Sequence, residues 1–227
     1  GGGLKDYSAA ELAAHLIRTL VARNGIAPDA IENVLLGQVL QANAGQLPSR
    51  QALIGGGLPV TTPSMLVNKV CASGMRAVTL ARQLIAAGDN DVILAGGMES
   101  MSNVPYYDTH TRWGARMGDK TLVDGMVHDG LWCAFENLHM GHAGEVVAEN
   151  YHVSRDQQDA YAERSHARAA QATRDGIFRD EILPIAVPQR RGDPIVFDAD
   201  ESIRPDTTVE TLSTLKPAFA TNGTVTA

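Results

Sequence analysis

One cysteine stands at a position that favours nucleophilic chemistry. Cys71 follows an apolar run over residues 64–70 and precedes Ser73 and Gly74, a pattern that indicates a tight turn between a strand and a helix. Backbone N–H groups and the positive end of the helix dipole at such a turn favour a thiolate. The same groups could hold the oxyanion of a thioester under attack. The residues alone leave two interpretations, an acyl-transfer nucleophile or a small buried core cysteine.

The other residue types that bind metals or phosphates form no recognisable site. Metal-ligand spacing supported by nearby cysteines or acids is absent around four histidines, His128, His142, His152 and His166. No metal is therefore predicted. Cys133 has no neighbour that would stabilise a thiolate, and we expect it to be structural. No phosphate-cradling pattern follows Gly96-Gly97.

Composition narrows the class of protein. The 227 residues are 44% hydrophobic and 20% charged, which is typical of a globular protein. The net charge is −7 and lysine and arginine form no runs, which argues against nucleic-acid binding. No stretch is apolar enough to span a bilayer, and residues 1–6 lack the apolar core of a signal peptide. With only two cysteines, we expect a cytoplasmic protein without membrane attachment.

Alternating strands and helices are predicted around Cys71. A capping box, Ser8-Ala9-Ala10-Glu11, predicts a helix that ends at Asn24-Gly25. The pattern then predicts a strand over 31–40 interrupted at Gly37, a helix over 50–54, a strand over 64–70, a helix over 75–87 and a strand over 91–95. The last three, in that order, indicate a βαβ unit of a parallel sheet. The predicted fold class is α/β.

The chain changes character after residue 101. Residues 102–135 carry glycine, aspartate, methionine and aromatic residues without periodicity, which indicates an excursion from the sheet. Helices are predicted over 140–150 and after Ser154, where Gln157 completes a second capping box. Residues 182–187 form a predicted edge strand, because Pro184 cannot donate to a central ladder.

Five motifs, in order along the chain, resemble those of the thiolase family. One segment resembles the nucleophile segment of thiolases: Asn68-Lys69-Val70-Cys71-Ala72-Ser73-Gly74-Met75. A second resembles the glycine-rich strand end that follows it in the family: Gly96-Gly97-Met98-Glu99-Ser100-Met101-Ser102. Motifs of the family's loop domain are similar to Gly130-Leu131-Trp132, His139-Met140-Gly141 and Lys216-Pro217-Ala218-Phe219. Each motif is weak alone, but their shared order over most of the chain is specific.

The resemblance implies a layered αβαβα architecture. Residues 1–101 would be the N-terminal αβ half with the nucleophile, 102–222 the loop domain for oligomerisation and coenzyme A binding, and 223–227 the start of the return to the core. It also implies a first strand before Gly1 and a second αβ half after Ala227. That half would carry the histidine that activates the nucleophile, an oxyanion asparagine and a cysteine base. A fragment, part of a chain and one half of a split enzyme all remain open.

The resemblance also assigns roles in coenzyme A recognition. His139 before Met140 is typical of the acetyl-CoA acetyltransferase branch, where the two side chains narrow the acyl pocket; the alternative for His139 is a structural hydrogen bond at a helix start. Three residues resemble those that form the family's apolar wall along the pantetheine arm: Leu131, Met140 and Phe219. Each of them could equally be an ordinary core residue. Arg204 resembles the arginine at the adenine-nucleotide end of coenzyme A, with an ordinary surface arginine as the alternative.

The activity implied by the resemblance is the reversible Claisen condensation of two acetyl-CoA to acetoacetyl-CoA and CoA through acetyl-Cys71. The coenzyme A thioester is then a substrate, and no tightly bound cofactor is expected. The alternatives are a degradative 3-ketoacyl-CoA thiolase and a non-catalytic CoA-binding or assembly subunit; a decarboxylating ketosynthase fits the nucleophile segment less well. Asp119 to Asp124 resembles the loop through which these enzymes assemble as homotetramers, dimers of dimers.

Overall fold

The computed structural model describes residues 2–227. The chain divides into two compact units between Gly130 and Leu131. The first unit holds a parallel sheet with helices on both faces, and the second is built mainly on two helices. The predicted domain boundary after residue 101 rests on the family resemblance and stays a prediction.

A three-stranded parallel sheet forms the centre of the first unit. Its elements are α1 (Ala9–Arg23), β1 (Asn33–Gly37), α2 (Pro48–Gly55), β2 (Ser64–Val67), α3 (Ser73–Ala87) and β3 (Ile93–Gly97), with 3₁₀ turns at Pro28–Ala30 and Met101–Asn103. The strand order is β2-β1-β3, and Val34 aligns with Ser64 on one side and with Leu94 on the other. The predicted βαβ unit is confirmed. Because β1 lies between its two strands, the connection through α3 crosses over β1.

The sheet is covered on both faces because successive residues of β1 point to opposite sides. Val34 and Leu36 belong to the cluster that packs with α1 and α2, whereas Leu35 packs with Ala77 of α3 on the other face. Val34 and Leu35 have no exposed area, so burial of each contributes about 1.5–3 kcal/mol. This two-sided burial explains why β1 is continuously apolar rather than alternating.

The end of β1 differs from the prediction. The strand stops at Gly37 rather than at residue 40. The backbone N–H groups of Val39 and Leu40 donate instead to the carboxylate of Glu99, at 2.9 and 3.1 Å. A side chain therefore replaces the ladder partner that an extended strand would have needed.

The junction between β2 and α3 is also shorter than predicted. β2 ends at Val67 rather than at residue 70, because Val70 has φ +50°, which a strand does not accommodate. α3 begins at Ser73, two positions before the predicted start at residue 75. β3 lies at Ile93–Gly97 rather than 91–95. The turn that carries Cys71 is consequently confined to residues 68–72.

The excursion from the sheet is present in residues 102–130. Within it, β4 (Tyr106–Tyr107) pairs antiparallel with β5 (Val123–Asp124), and a 3₁₀ turn lies at Thr111–Trp113. Trp113 is 94% and Met117 103% exposed. Large apolar side chains left this open mark a candidate interaction surface.

The second unit contains the other predicted helices. Its elements are β6 (Trp132–Cys133), β7 (Leu138–His139), α4 (Met140–Asn150), α5 (Arg155–Arg174), β8 (Ile185–Val187), β9 (Ile195–Phe197) and α6 (Val209–Ser213). Capping boxes at Ser8 with Glu11 and at Ser154 with Gln157 are both confirmed. The predicted strand over 182–187 is confined to β8, and its antiparallel partner β9 was not predicted.

An arginine in an ion pair within α5 also joins two helices of the second unit. Asp159 is 4% exposed, and both of its carboxylate oxygens accept from Nε of Arg155 at 2.9 Å. The same guanidinium donates to the carbonyl of Leu212, which ties α5 to α6. Across the described part of the chain, no helix combines the length and apolar character needed to cross a membrane.

Candidate functional site

The turn that carries Cys71 is held by its own side chains. Asn68 Oδ1 accepts the N–H of Val70 at 3.0 Å, which stabilises the left-handed conformation of Val70. The buried Ser73 hydroxyl accepts the N–H of Lys69 at 2.8 Å and donates to the carbonyl of Val70 at 2.6 Å. The turn is therefore closed by side chains on both sides of Cys71, which restrains the backbone at that residue.

Glycines let this turn sit directly on the strand ends. A Cβ on Gly37 would lie 2.4 Å from the carbonyl carbon of Ser73, which is closer than any real contact. A Cβ on Gly97 would lie 3.2 Å from the Cα of Gly74. The backbone approach at the carboxyl ends of β1 and β3 thus depends on residues without side chains. Such an edge of a parallel sheet is where ligands of open α/β folds bind.

Cys71 is exposed at the surface of this unit, outside its two core clusters. It precedes α3, a helix of 15 residues whose first turn has no side-chain cap. The helix start therefore presents uncapped N–H groups near the thiol, the arrangement that stabilises negative charge. Within residues 2–130, no side chain hydrogen-bonds to the Cys71 sulfur. An exposed thiol in this setting can accept an acyl group once a base is supplied.

In the second unit, His139 and Phe219 lie together. His139 caps α4, where Nδ1 accepts the N–H of Gly141 at 3.0 Å. Its ring stacks on Phe219, with centroids 5.1 Å apart and planes 17° apart. The structural hydrogen bond considered for His139 is thus present. Because Nδ1 is an acceptor, the proton of the neutral ring lies on Nε2.

The other predicted coenzyme A residues of this unit lie at the surface or close to it. Met140 is exposed at the first position of α4, whereas Leu131 and Phe219 are half-buried, so none of the three is fully buried core. Leu131 directly precedes Trp132, whose partner across the β6–β7 hairpin is His139. The local topology therefore brings Leu131, His139, Met140 and Phe219 into one neighbourhood.

Arg204 lies apart from that neighbourhood in sequence and is held by a different contact. Its backbone N–H donates to Nδ1 of His166 on α5 at 3.1 Å. The Arg204 side chain is exposed, and no ion pair engages its guanidinium among the described residues. A guanidinium in this state can bind a phosphate group.

Two carboxylates make long-range contacts that no local sequence pattern predicts. Glu99 holds the chain after β1, at a separation of 60 residues from Val39. Glu145 of α4 binds Thr224, which is 79 residues away. A sequence pattern reports neighbours within a few residues, so only conservation or a structure could have found these contacts. Among residues 2–227, no group of three or more histidine, cysteine, aspartate or glutamate side chains is arranged to hold a metal ion.

Comparison with known proteins decides the family. Residues 1–227 match the model of the thiolase N-terminal domain. The chain belongs to the thiolase family. The predicted resemblance and the α/β class of a thiolase fold are thereby confirmed, and Cys71 falls in the segment that resembles the thiolase nucleophile loop.

Curated relatives of this thiolase cover its whole length. It is 52% identical over 227 residues to the acetyl-CoA acetyltransferase of Chromobacterium violaceum and 50% identical over 226 residues to that of Allochromatium vinosum. It is 47% identical over 227 residues to a probable acetyl-CoA acyltransferase of Staphylococcus aureus. In each case 100% of this chain is covered, but only 57–58% of the relative.

Proposed function

We propose that the full-length protein is an acetyl-CoA C-acetyltransferase that interconverts two acetyl-CoA with acetoacetyl-CoA and CoA. The observation that carries the proposal is the exposed Cys71 thiol on a closed turn at the start of α3. The names of the relatives at about half identity support the acetyl group as the one transferred. The substrates are coenzyme A thioesters, and no tightly bound cofactor is needed for this chemistry.

The proposed reaction has two half-reactions. In the first, the Cys71 thiolate attacks the thioester carbonyl of acetyl-CoA, a new C–S bond forms, and CoA leaves as a thiolate that takes up a proton. In the second, another acetyl-CoA loses an α-proton to a general base, and its enolate attacks the acetyl-Cys71 carbonyl. A C–C bond forms, the Cys71 thiolate is released, and acetoacetyl-CoA leaves. N–H groups at the start of α3 would stabilise the oxyanion that forms in each attack.

The second unit is proposed to bind the coenzyme A part of the substrate. His139 and Met140 would limit the acyl pocket, and Leu131 and Phe219 would contact the pantetheine arm. The exposed guanidinium of Arg204 would meet the adenine-nucleotide end. Their surface or half-buried positions support this assignment, because a fully buried side chain could not contact a ligand that arrives from solvent.

The assembly and location of the enzyme are further parts of the proposal. A homotetramer, a dimer of dimers formed through the loop from Asp119 to Asp124, is supported by the exposure of Trp113 and Met117 in the same excursion. The proposed division of the chain is 1–101 for the nucleophile half, 102–222 for the loop domain and 223–227 for the return to the core. Both cysteines are free thiols, which fits a cytoplasmic enzyme in a reducing compartment.

Covalent trapping in the full-length protein tests the activity. Incubation with radiolabelled acetyl-CoA should place the label on the peptide that contains Cys71. Cys71→Ala should abolish labelling, and Cys133→Ala should leave it intact. Label on any other residue would contradict the proposal, and coenzyme A binding without labelling would indicate a non-catalytic CoA-binding or assembly subunit.

A degradative 3-ketoacyl-CoA thiolase is the second candidate. Two relatives at 47–48% identity are named probable acetyl-CoA acyltransferase, a name that does not specify acetyl as the group transferred. Thiolysis rates with acetoacetyl-CoA and with a long-chain 3-ketoacyl-CoA separate the two candidates. Preference for acetoacetyl-CoA is expected if His139 and Met140 restrict the pocket, and preference for the long chain would favour the degradative enzyme.

A further inference from the structure

The turn over residues 218–225 lies against the start and middle of α4. The N–H of Ala218 donates to the carbonyl of Val225 at 2.9 Å, which closes the turn at its two ends. Phe219 projects from this turn onto the His139 ring. The position of the Phe219 ring is therefore set by whatever fixes the turn.

Glu145 is the main polar contact between α4 and the turn. Its carboxylate accepts the N–H of Thr224 at 2.8 and 3.0 Å, the N–H of Val225 at 2.9 Å and the hydroxyl of Thr224 at 3.1 Å. The Thr224 hydroxyl oxygen also accepts from Nε2 of Gln158 on α5 at 2.9 Å. Hydrogen bonds to an ionised carboxylate are the stronger class, and three donors here share one carboxylate.

Two glycines allow the turn and α4 to pack closely around this contact. A Cβ on Gly223 would lie 2.1 Å from Oε1 of Glu145, and a Cβ on Gly141 would lie 2.2 Å from the Phe219 ring. Both glycines let backbone and ring approach α4 more closely than any other residue would permit. The turn and α4 are thus complementary in shape as well as in hydrogen bonding.

We propose that Glu145 is a positioning residue for coenzyme A thioester binding, because its carboxylate fixes the 218–225 turn and so keeps Phe219 stacked on His139. This inference rests on the proposed function, in which His139 and Phe219 contact the acyl and pantetheine groups. Glu145 takes no part in proton transfer, since its oxygens are already engaged by the donors of Thr224 and Val225. Glu145 affects substrate binding only through the position of Phe219 beside His139.

The test compares Glu145→Gln with Glu149→Gln in the full-length protein. Glu149 lies one turn further along α4, is exposed, and has no side-chain hydrogen bond among the described residues. Glu149→Gln therefore removes the same charge from the same helix without removing a contact. Two acyl donors are used, acetyl-CoA and p-nitrophenyl acetate, which lacks the pantetheine arm. Hydrogen exchange of the Thr224 and Val225 amides is measured as a readout independent of activity.

Glu145→Gln should raise KM for acetyl-CoA about tenfold, the factor for losing one charge-assisted hydrogen bond, with little change in kcat. Acylation of Cys71 by p-nitrophenyl acetate should be unchanged, and exchange of the two amides should accelerate about tenfold or more. Glu149→Gln should resemble the parent protein. If Glu145→Gln lowers overall stability too far for kinetics, Gly223→Ala provides the second variant, because its methyl group displaces the Glu145 carboxylate from the turn.

Two results would overturn the inference. Unchanged amide exchange in both Glu145→Gln and Gly223→Ala would show that Glu145 does not hold the turn. Equal losses of acylation efficiency with acetyl-CoA and with p-nitrophenyl acetate would show a general structural defect. Glu145 would then not act by positioning the residues that contact coenzyme A. If the parent protein itself is not acylated by acetyl-CoA, the proposed function fails, while the exchange data still decide whether Glu145 fixes the turn.

Discussion

At the scale of single residues, the two cysteines of this thiolase occupy different environments. Cys71 is exposed at the start of a helix, in a turn held by Asn68 and Ser73. Cys133 is half-buried in a short hairpin, where its sulfur accepts the N–H of Glu136 at 3.5 Å. Only Cys71 combines an exposed thiol with the start of a long helix that has no side-chain cap.

The carboxylate of Glu145 gives a prediction about pH. Burial raises its pKa, but the N–H groups of Thr224 and Val225 outweigh that effect and hold the pKa below the ordinary value of 4.5. His142 also lowers the pKa of Glu145, and Glu149 is the other charged neighbour on α4. The neighbouring side chains from the turn and from α5, Thr224 and Gln158, are uncharged. The depressed folded pKa means that Glu145 stabilises the fold above pH 4.5, and that this contribution is lost as pH falls through the folded value.

The free energy of unfolding of the parent protein and of Glu145→Gln should therefore differ most near neutral pH. The difference should shrink as the pH is lowered below 4.5, because protonation of Glu145 removes from the parent protein the same negative charge that the substitution removes from the variant. Urea unfolding of both proteins at a series of pH values measures it. A difference that stays constant down to strongly acid pH would show that the Glu145 charge is not what stabilises the turn.

Local chemistry could be predicted at Cys71 but not at Glu145 or Gly37. The Cys71 turn depends on residues adjacent in sequence, so its pattern is visible in one short segment. Gly37 was interpreted only as an interruption of a strand, since its close neighbour Ser73 is distant in the chain. Residue types that act through long-range contacts leave no local pattern.

At the scale of elements, the order of strands and helices in the first unit followed from the apolar pattern, whereas their ends did not. The ends depend on tertiary contacts such as the Glu99 carboxylate after β1. β9 was missed because its three residues, Ile195–Phe197, are too few to show a period and are stabilised by pairing with β8.

Gly37→Ala tests how closely β1 must approach α3. The new Cβ would lie 2.4 Å from backbone of Ser73, so either β1 or the Cys71 turn must move. Overpacking of this kind costs about 1–3 kcal/mol in the free energy of unfolding. Because Ser73 directly follows the Cys71 turn, the clash should also disturb that turn and slow acylation of Cys71 by acetyl-CoA.

Gly96→Ala on the neighbouring strand is the control for this substitution. Its Cβ would meet only Leu36 Cδ2 at 3.9 Å, an ordinary contact. Urea unfolding and the acylation rate should both stay close to those of the parent. Equal effects of the two substitutions would contradict a specific role for the Gly37 approach.

At the scale of the whole molecule, many large apolar side chains stay exposed, some of them on a helix that packs on the sheet. α3 carries exposed Met75, Val78 and Ile85, although its other face packs on the sheet. In the layered αβαβα architecture that the family implies, a further layer is expected to cover such a helix. The chain spans about 58% of the length of the curated relatives that it matches.

Trp113 and Met117 give the prediction about assembly. They lie in the excursion beside the loop proposed for tetramer formation and are almost fully exposed, so contact with a second copy would bury both. Introducing carboxylates there with Trp113→Glu and Met117→Glu would leave unpaired charges in that contact, at a cost of about 3–5 kcal/mol each. The full-length double variant should therefore shift from tetramer to dimer in light scattering, while Tyr161→Glu, at an exposed aromatic residue of α5, should not. A double variant that remains tetrameric would exclude this surface from the interface, and a parent protein that is not a tetramer would contradict the proposed assembly itself.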